Sequence, residues 1–336
     1  MPKLAHLPVP LDLPPMEAKL VEEVPREPDW RFEPKWDGFR CLAFRAGDEV
    51  ALRAKSGKPL DRFFPDVVAA LKALPVDRFV VDGELTIEVG GRLSFEALQL
   101  RLHPAESRVR KLAAEQPASL TLFDCLMDGK GRSLVEAPLS SRRQELEAFF
   151  KRLKGAPAVR LSPYTEDRDQ ACRWLDEAGF VLDGVVAKRI DGPYVPGERA
   201  MLKIKKIRTA DCVVGGFRYQ QGTKQVGSLL LGLYGDDGRL HHVGFTATIS
   251  NAERPELTKR LEALKGEGFT GDAPGGPSRW STERTGEWVA LKPELVAEVR
   301  YDQVTGGRFR HGTKLVRWRP DKAPRQCTFE QIRPPA

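Results

Sequence analysis

The chain has 336 residues, 41% of them hydrophobic, which predicts about two domains with real cores and excludes wholesale disorder. Its 54 Lys and Arg residues exceed its 47 Asp and Glu residues, and the net charge of +7 suits a polyanionic partner as well as an ordinary basic protein. The five cysteines are scattered, with no Cys-x-x-Cys pair, so we expect neither a zinc site nor disulfides, and a reducing cytoplasm.

The first part of the chain alternates short strands with helices, after a proline-rich, extended segment over residues 1–28. That segment lacks the apolar core of a signal peptide, and no run approaches membrane-spanning length, so we expect no membrane contact. A capping box at Ser141 and Gln144 is expected to begin one helix, and Gly179 to end another. The periodicities predict strands at 39–45, 50–54, 78–89, 120–127, 185–190 and 202–207, and helices at 64–74, 141–153 and 167–178.

After Arg208 the pattern changes to strands interrupted by one helix. Five strands with one helix is the content of an OB-fold barrel. We therefore expect an α+β chain with one domain over 1–208 and a second over 209–336, joined by a mobile hinge near 208. The Gly-, Pro-, Ser- and Thr-rich stretch 271–287 is expected to be a flexible loop. The strands are predicted at 213–214, 229–234, 240–249, 288–301 and 314–318, and the helix at 254–264.

The most informative segment is Lys35-Trp36-Asp37-Gly38-Phe39-Arg40. A lysine amine can attack a phosphate and hold a nucleotide covalently. Asp37 and Gly38 can turn tightly beside it, and Arg40 can reach a ribose or phosphate. The alternative is an ordinary surface turn. Because a free lysine is almost entirely protonated at neutral pH, the attack requires neighbouring cations, a metal or desolvation to favour the neutral amine.

Further segments downstream could serve the same chemistry. Glu84 ends an Asp-Gly-Glu sequence on a strand, which could equally be a polar turn. Phe123 offers a flat face for stacking, although a Phe in a strand more often belongs to a core. Lys203 and Lys205 share one face of a strand and could clamp a phosphate, or form a solvated edge. Residues 319–322, Arg-Pro-Asp-Lys, could be functional or a solvated charged face.

In their order and spacing these segments resemble the motifs of the ATP-dependent DNA ligases, in the minimal bacterial C-type form, over about Pro15 to Lys322. Residues 33–40 are similar to the Glu-x-Lys-x-Asp-Gly-x-Arg nucleophile motif, and 183–188 and 319–322 to the fourth and sixth motifs. The resemblance implies an antiparallel-sheet nucleotidyltransferase domain, an ATP-grasp-like adenylation domain, followed by a small OB-fold β-barrel.

The resemblance also implies residue roles. Lys35 would be the catalytic nucleophile that carries AMP, with ATP as the donor and Mg²⁺ or Mn²⁺ as the metal. The metal would lie near Glu84 and Asp183. The residues implied to contact the nucleotide are Glu33, Arg40, Lys55, Glu84, Phe123, Lys188, Arg199, Lys203, Lys205, Arg319 and Lys322.

Three positions depart from the family pattern. Asp183 stands where most members have Glu, so its metal contact would run through water. Lys55-Ser56-Gly57 stands where relatives have Arg-Asn-Gly, which keeps the charge but loses the bidentate fork of arginine. Met201 stands where many relatives have Trp, which affects local packing.

The implied activity is the sealing of 5′-phosphate/3′-hydroxyl nicks in duplex DNA during repair, by a nucleoid-associated cytoplasmic monomer. The nearest alternative is an RNA ligase or mRNA-capping guanylyltransferase, and the second is a non-catalytic OB-type nucleic-acid binder. We expect no additional N-terminal DNA-binding domain, so the grip on DNA should be weak and salt-dependent. As a hypothesis, a repair primase or an end-binding factor helps the protein bind DNA.

Overall fold

The structure, a computed structural model, describes residues 3–153, 155–177, 182–275 and 287–333. The chain divides into two compact units, Met1–Lys206 and Ile207–Ala336. No helix in the described parts of the chain is long and apolar enough to cross a membrane.

The first unit is a mixture of strands and helices, as expected for an α+β domain. Its strands are β1 (Ala18–Val21), β2 (Trp30–Lys35), β3 (Phe39–Ala46), β4 (Glu49–Ala54), β5 (Arg78–Val89), β6 (Arg92–Leu93), β7 (Ala118–Cys125), β8 (Val159–Leu161), β9 (Gly184–Arg189) and β10 (Met201–Ile204). Its helices are α1 (Pro65–Ala73), α2 (Phe95–Arg101), α3 (Glu106–Glu115), α4 (Leu139–Arg152) and α5 (Arg168–Glu177).

The larger sheet of this unit has the order β4-β3-β5-β7-β8, with β6 beside β5, and is antiparallel except where β7 meets β8. Successive side chains of β3 point to opposite faces of the sheet, and each face packs against an apolar core. Cys41 and Ala43 pack into the core that contains α1 and α4, whereas Leu42 and Phe44 pack into the core on the opposite face. The strands of this sheet are therefore apolar on both faces.

The smaller sheet has the order β1-β10-β9-β2. Ala171 of α5 packs on one face of it, against Val185 and Ile204. Met201 belongs to the core that also contains Leu42 and Phe44 of the larger sheet. The two sheets therefore face each other, and the turn between β2 and β3 carries the chain from one sheet to the other. This turn contains the predicted nucleophile segment.

The second unit is built on a sheet with the order β13-β12-β11-β15-β18, with β14 beside β11 and a separate β16–β17 hairpin. The bounds are β11 (Arg208–Tyr219), β12 (Val226–Tyr234), β13 (Leu240–Thr246), β14 (Val289–Ala290), β15 (Val296–Tyr301), β16 (Val304–Thr305), β17 (Arg308–Phe309), β18 (Lys314–Trp318) and α6 (Arg254–Glu262).

Five main strands with α6 between the third and the fourth match the expected OB-fold content. The strand pairing shows that the barrel of this OB-fold is partly open. A single parallel bridge between Thr246 and Thr313 brings the edge strands β13 and β18 near one another, but no ladder joins them in the described residues. The sheet coils through register shifts in β11 and β12 and stops short of closure.

Several local predictions also differ from the structure. Helix α4 begins at Leu139 after Pro138, without a side-chain cap, so the predicted capping box at Ser141 is wrong. Burial of the Leu139 side chain, which is 1% exposed, accounts for the earlier start. Helices α2 and α3 and strand β8 were not predicted. The predicted strand 288–301 is two strands, and Gly179 and most of the predicted loop 271–287 lie outside the described residues.

A buried ion pair joins β7 to α4. The Arg142 guanidinium donates to both carboxylate oxygens of Asp124, at 2.8 and 3.1 Å, and both side chains are 1% exposed. It also donates to the carbonyl oxygens of Ala137 and Gly192. The pair therefore ties α4 and the segment after β9 to the larger sheet.

We predict that Arg142→Met lowers the free energy of unfolding by about 3–5 kcal/mol, because it leaves Asp124 charged, buried and unpaired. Urea denaturation is the measurement. The matched control is Arg110→Met, which breaks a pair with Glu106 whose side chains are 73% and 70% exposed. This control is expected to change stability by no more than about 0.5 kcal/mol. Equal effects of the two substitutions would contradict the prediction.

Candidate active site

Lys35 is the last residue of β2, and the turn that follows it is held tightly. Gly38 leaves no room for a side chain, since a Cβ there would lie 2.1 Å from the carbonyl oxygen of Leu85. The Trp36 indole Nε1 donates to Ser162 Oγ at 2.9 Å. The turn therefore holds Lys35 at the place where the two sheets of the first unit meet.

The Lys35 ammonium is paired with Asp183. Nζ lies 2.5 Å from Asp183 Oδ2, and Lys205 Nζ lies 3.1 Å from Oδ1 of the same carboxylate. The backbone adds a third link, because Asp183 N donates to the Lys35 carbonyl oxygen at 2.8 Å. The Asp183 side chain is 7% exposed and that of Lys35 is 25% exposed. One buried carboxylate thus joins two of the predicted site lysines.

Gly184, next to Asp183, explains how this carboxylate comes so close. Its φ is 138°, a backbone conformation that residues with a Cβ rarely adopt, and a Cβ would lie 2.1 Å from the carbonyl oxygen of Ile204. The glycine lets β9 begin directly beside the end of β10. Asp183 is thereby placed between Lys35 and Lys205.

A second ion pair lies deeper. Lys188 Nζ donates to Glu33 Oε2 at 2.8 Å and to the Phe123 carbonyl oxygen at 3.4 Å. The side chains of Lys188 and Glu33 are 4% and 3% exposed. Glu33 Oε1 is buried and has no hydrogen-bond partner among the described residues. An unpartnered acceptor in the cavity wall suits a ligand that brings an N–H or O–H donor.

The ring of Phe123 lies beside two cations. Its centroid is 4.6 Å from Arg40 Cζ and 4.7 Å from Lys188 Nζ, distances typical of cation–π contacts. The ring is 8% exposed, so it belongs to the wall of the cavity rather than to solvent. Stacking of a purine on Phe123 stays a prediction.

Arg40 is held by a residue that the sequence analysis did not assign. Its guanidinium donates to both oxygens of Asp82 at 2.6 Å, and Tyr194 also donates to Asp82, at 2.6 Å. Burial tends to lower the pKa of Arg40, but the Asp82 charge and hydrogen bonds outweigh it and raise that pKa. The sequence could have indicated this role for Asp82. Asp82 and Glu84 are two residues apart in β5, so their side chains lie on the same face of the strand, next to β3.

Glu84 pairs with Arg40 across β3 and β5 and lines the cavity. Burial raises its pKa to about 7, although Lys35 and Arg40 oppose the rise, and the nearby Asp82 and Asp37 add to it. Near neutral pH this side chain is therefore divided between a carboxylic acid and a carboxylate.

The remaining lysines of the site repel one another. Burial lowers the pKa of Lys203, and the charges of Lys35, Lys205 and Lys55 lower it further. Lys55 Nζ lies 3.0 Å from Glu17, another residue that the sequence analysis did not assign. Lys203 and Lys205 thus lie close enough to Lys35 for the three charges to interact. Lys205 lies just after β10 rather than in it, so the two lysines do not share a strand as the periodicity predicted.

These side chains surround a cavity of about 1120 Å³ in the first unit. Apolar side chains such as Phe39, Leu60 and Phe63 form much of its wall. Arg199 is exposed and does not line it, while Asp183 and Lys205 lie behind Lys35. The predicted site residues that line it are Glu33, Lys35, Arg40, Lys55, Glu84, Phe123, Lys188 and Lys203.

Arg319 and Lys322 belong to the second unit, where they share one carboxylate. Arg319 Nη1 donates to the two oxygens of Asp211 at 2.9 and 3.0 Å, and Lys322 Nζ to one of them at 2.7 Å. Arg319 also pairs with Asp321 at 2.8 Å, and its hydrogen bond lowers the pKa of Asp321 to about 2. The sequence analysis did not predict that Asp211 holds these two residues. The predicted nucleotide role of Arg319 and Lys322 stays a prediction.

The described residues contain no group of three or more His, Cys, Asp or Glu side chains that could hold a metal ion by themselves. Glu84 and Asp183 are both close to Lys35. Mg²⁺ commonly uses one or two carboxylates together with substrate phosphates and waters. The residues present therefore fit a metal that enters with a nucleotide, rather than a metal caged by protein alone.

The raised pKa of Glu84 predicts a pH effect on stability. Since its folded pKa of about 7 lies above the usual glutamate value of 4.5, the native state binds more protons between these values. The wild type should therefore lose stability relative to Glu84→Gln as pH rises from 4.5 to about 7, and the difference should level off above that. Urea denaturation across pH measures it.

The matched control is Glu88→Gln on the same strand, because the Glu88 side chain is 44% exposed. Its stability difference from the wild type should change little over the same pH range. The raised pKa of Glu84 is contradicted if the free energies of unfolding of the wild type and Glu84→Gln differ by the same amount at every pH in this range.

Both units of the chain match known protein families. The chain matches the family model described as ATP dependent DNA ligase domain over residues 15–205, and the one described as ATP dependent DNA ligase C terminal region over 222–322. The proposed domain limits, 1–208 and 209–336, stay predictions.

Two named relatives match nearly end to end. DNA ligase C1 of Mycolicibacterium smegmatis is 44% identical over 342 residues, which covers 98% of this chain and 96% of that protein. DNA ligase C of Mycobacterium tuberculosis is 43% identical over 348 residues, with the same coverage of 98% and 96%.

A solved structure of a mycobacterial DNA ligase D, complexed with ATP and MES, is 27% identical with a TM-score of 0.51. The match covers 95% of this chain and 98% of that one. With family models matching both units and relatives above 40% identity over the whole length, the chain belongs to the ATP-dependent DNA ligase family.

Proposed function

We propose that this protein seals 5′-phosphate/3′-hydroxyl nicks in duplex DNA, through a lysyl-AMP and then a DNA-adenylate intermediate, in DNA repair. The observation that carries the proposal is the Lys35 amine on the wall of a large cavity, flanked by Glu33, Arg40 and Lys203. An amine nucleophile surrounded by cations is what attack on a phosphorus of an anionic nucleotide requires.

In the first step, Lys35 Nζ attacks the α-phosphorus of ATP, the N–P bond forms, and the bond to pyrophosphate breaks. The amine gives up one proton before the attack and a second as the bond forms. Asp183 Oδ2, 2.5 Å from Nζ, is placed to accept the first of these protons. Arg40, Lys188, Lys203 and Lys205 supply the positive charge that the phosphates need.

In the second step an oxygen of the nick's 5′-phosphate attacks the AMP phosphorus, the N–P bond breaks, and the Lys35 nitrogen takes back both of the protons that it lost in the first step. In the third step the 3′-hydroxyl attacks the activated 5′-phosphate, loses its proton, and AMP leaves. Every step attacks a phosphorus whose oxygens carry negative charge, and that charge grows in the transition state. The cavity cations therefore serve all three steps, by stabilising this charge.

The wall of the cavity contains a hydrogen-bond acceptor that suits adenine. Glu33 Oε1 is a buried acceptor with no partner among the described residues, and it lies in the same wall as Phe123 and Lys188. The exocyclic amine of adenine is a donor, whereas guanine presents a carbonyl oxygen at the corresponding position. The buried acceptor therefore supports ATP over GTP, and argues against a capping guanylyltransferase.

The metal would be Mg²⁺, with Mn²⁺ as the second choice, held by Glu84, with Asp183 acting through water. When bound, it would neutralise phosphate charge. We further propose that Arg319 and Lys322 orient the leaving pyrophosphate, which requires a hinge near residue 208. Help from a repair primase or end-binding factor stays a hypothesis, and so does association with the nucleoid.

We predict that Lys35→Ala abolishes covalent labelling by radiolabelled ATP, because it removes the amine that forms the N–P bond. The control is Lys151→Ala, an exposed lysine outside the cavity, which should label like the wild type. Mass spectrometry of the labelled peptide locates the adenylate. Full labelling of Lys35→Ala, or an adenylate found elsewhere in the wild type, would overturn the proposal.

The substrate is tested by sealing a nicked duplex with ATP, GTP or NAD supplied in turn. We expect sealing with ATP alone, and sealing of a DNA nick in preference to an all-RNA nick. Preference for the RNA nick would favour the RNA ligase alternative. Binding of nucleic acid with neither adenylation nor sealing would favour the non-catalytic alternative.

A further inference from the structure

One acidic side chain stands among the cations at the edge of the cavity. Glu17 lines the cavity together with Lys55 and Lys203. Lys55 Nζ lies 3.0 Å from Glu17 Oε2. The hydrogen bond from Lys55 is the main cause that lowers the pKa of Glu17, with smaller contributions from the charges of Arg199 and Lys203. Three cations from two parts of the chain thus act on one carboxylate.

The backbone holds Glu17 in place. Its N–H donates to the Glu198 carbonyl oxygen at 2.7 Å, and its own carbonyl accepts from Met201 N at 3.1 Å. Glu17 directly precedes β1 of the smaller sheet, whereas Lys55 directly follows β4 of the larger sheet. The ion pair therefore spans the two sheets that enclose the cavity.

A carboxylate among cations occupies the kind of position that a substrate phosphate requires. We propose that Glu17 is an internal substitute for a substrate phosphate, which holds Lys55 at the edge of the cavity until a phosphate of the substrate displaces it. This inference rests on the proposed function. It makes Glu17 a positioning residue that acts through Lys55 and sets how tightly the site binds phosphate.

The exposure of the pair sets the size of the effect. The side chains of Lys55 and Glu17 are 59% and 30% exposed, so solvent screens the pair and it exchanges readily. Removing the Glu17 charge should therefore tighten phosphate binding by about two- to fivefold. The displaced phosphate has two possible sources, the triphosphate of ATP and the 5′-phosphate of a nick.

The test compares Glu17→Gln with Glu198→Gln. Both substitutions remove one negative charge from the same part of the surface, but Glu198 does not line the cavity. In the first arm, calorimetry measures ATP and AMP binding to proteins that also carry Lys35→Ala, which prevents adenylation. If the triphosphate displaces Glu17, then Glu17→Gln tightens the binding of ATP but not of AMP, and Glu198→Gln changes neither.

In the second arm, fluorescence anisotropy measures binding of nicked duplex to the adenylated proteins, in a chelator that prevents turnover. If the nick phosphate displaces Glu17, then Glu17→Gln tightens binding of a 5′-phosphate nick but not of a 5′-hydroxyl nick. In the arm where Glu17→Gln tightens binding, adding Lys55→Gln should remove this gain in affinity, because the lysine released from Glu17 produces it. A residue with only a structural role would not produce this dependence on the phosphate.

Unchanged or weaker phosphate binding in both arms would overturn the proposal, and so would an equal gain from Glu198→Gln. Wild-type adenylation of Lys35 is measured in the same preparations. Absence of that adenylate is a failure of the proposed function. Normal adenylation with unaltered affinities is a failure of the Glu17 inference alone.

Discussion

The active cavity depends on a balance between positive charge and the carboxylates that hold it in place. A site that handles phosphates must gather cations, but gathered cations repel one another and lose hydration on burial. Carboxylates distributed between the two sheets offset this cost. The pairs are Lys35 with Asp183, Lys188 with Glu33, Arg40 with Asp82, and Lys55 with Glu17.

These pairs fall into two kinds according to their exposure. Asp82, Lys188 and Glu33 are buried, and the Arg40–Asp82 and Lys188–Glu33 pairs are hydrogen-bonded, which favours a single geometry for each pair. Lys35 and Lys55 are more accessible, with side chains 25% and 59% exposed. An incoming phosphate can compete for them. The buried pairs thus give the cavity its shape, and the accessible pairs are the ones that can exchange partners during catalysis.

Much of this could be predicted from the sequence. The strand at 78–89 was predicted with its observed bounds, because apolar residues that alternate with polar ones up to a pair of glycines are typical of a strand. The family and the nucleophile segment followed from short motifs in a fixed order, and so did eight of the residues that line the cavity. Helices α2 and α3 were not predicted, because they have only seven and ten residues, and helices this short depend on tertiary packing for their stability. The opening between β13 and β18 could not be predicted, because the closure of a sheet depends on the pairing of edge strands that are distant in the chain.

The sequence by itself determined which chemical groups are available and in what order, because a motif such as Lys-x-Asp-Gly-x-Arg is local and its side chains are neighbours whatever the fold. Only the tertiary structure decided which carboxylate holds which cation. Lys35 and Asp183 are 148 residues apart in the chain, and Glu33 and Lys188 are 155 apart. Such partners meet because two sheets face each other, and the strength of each pair depends on burial, which no short segment encodes.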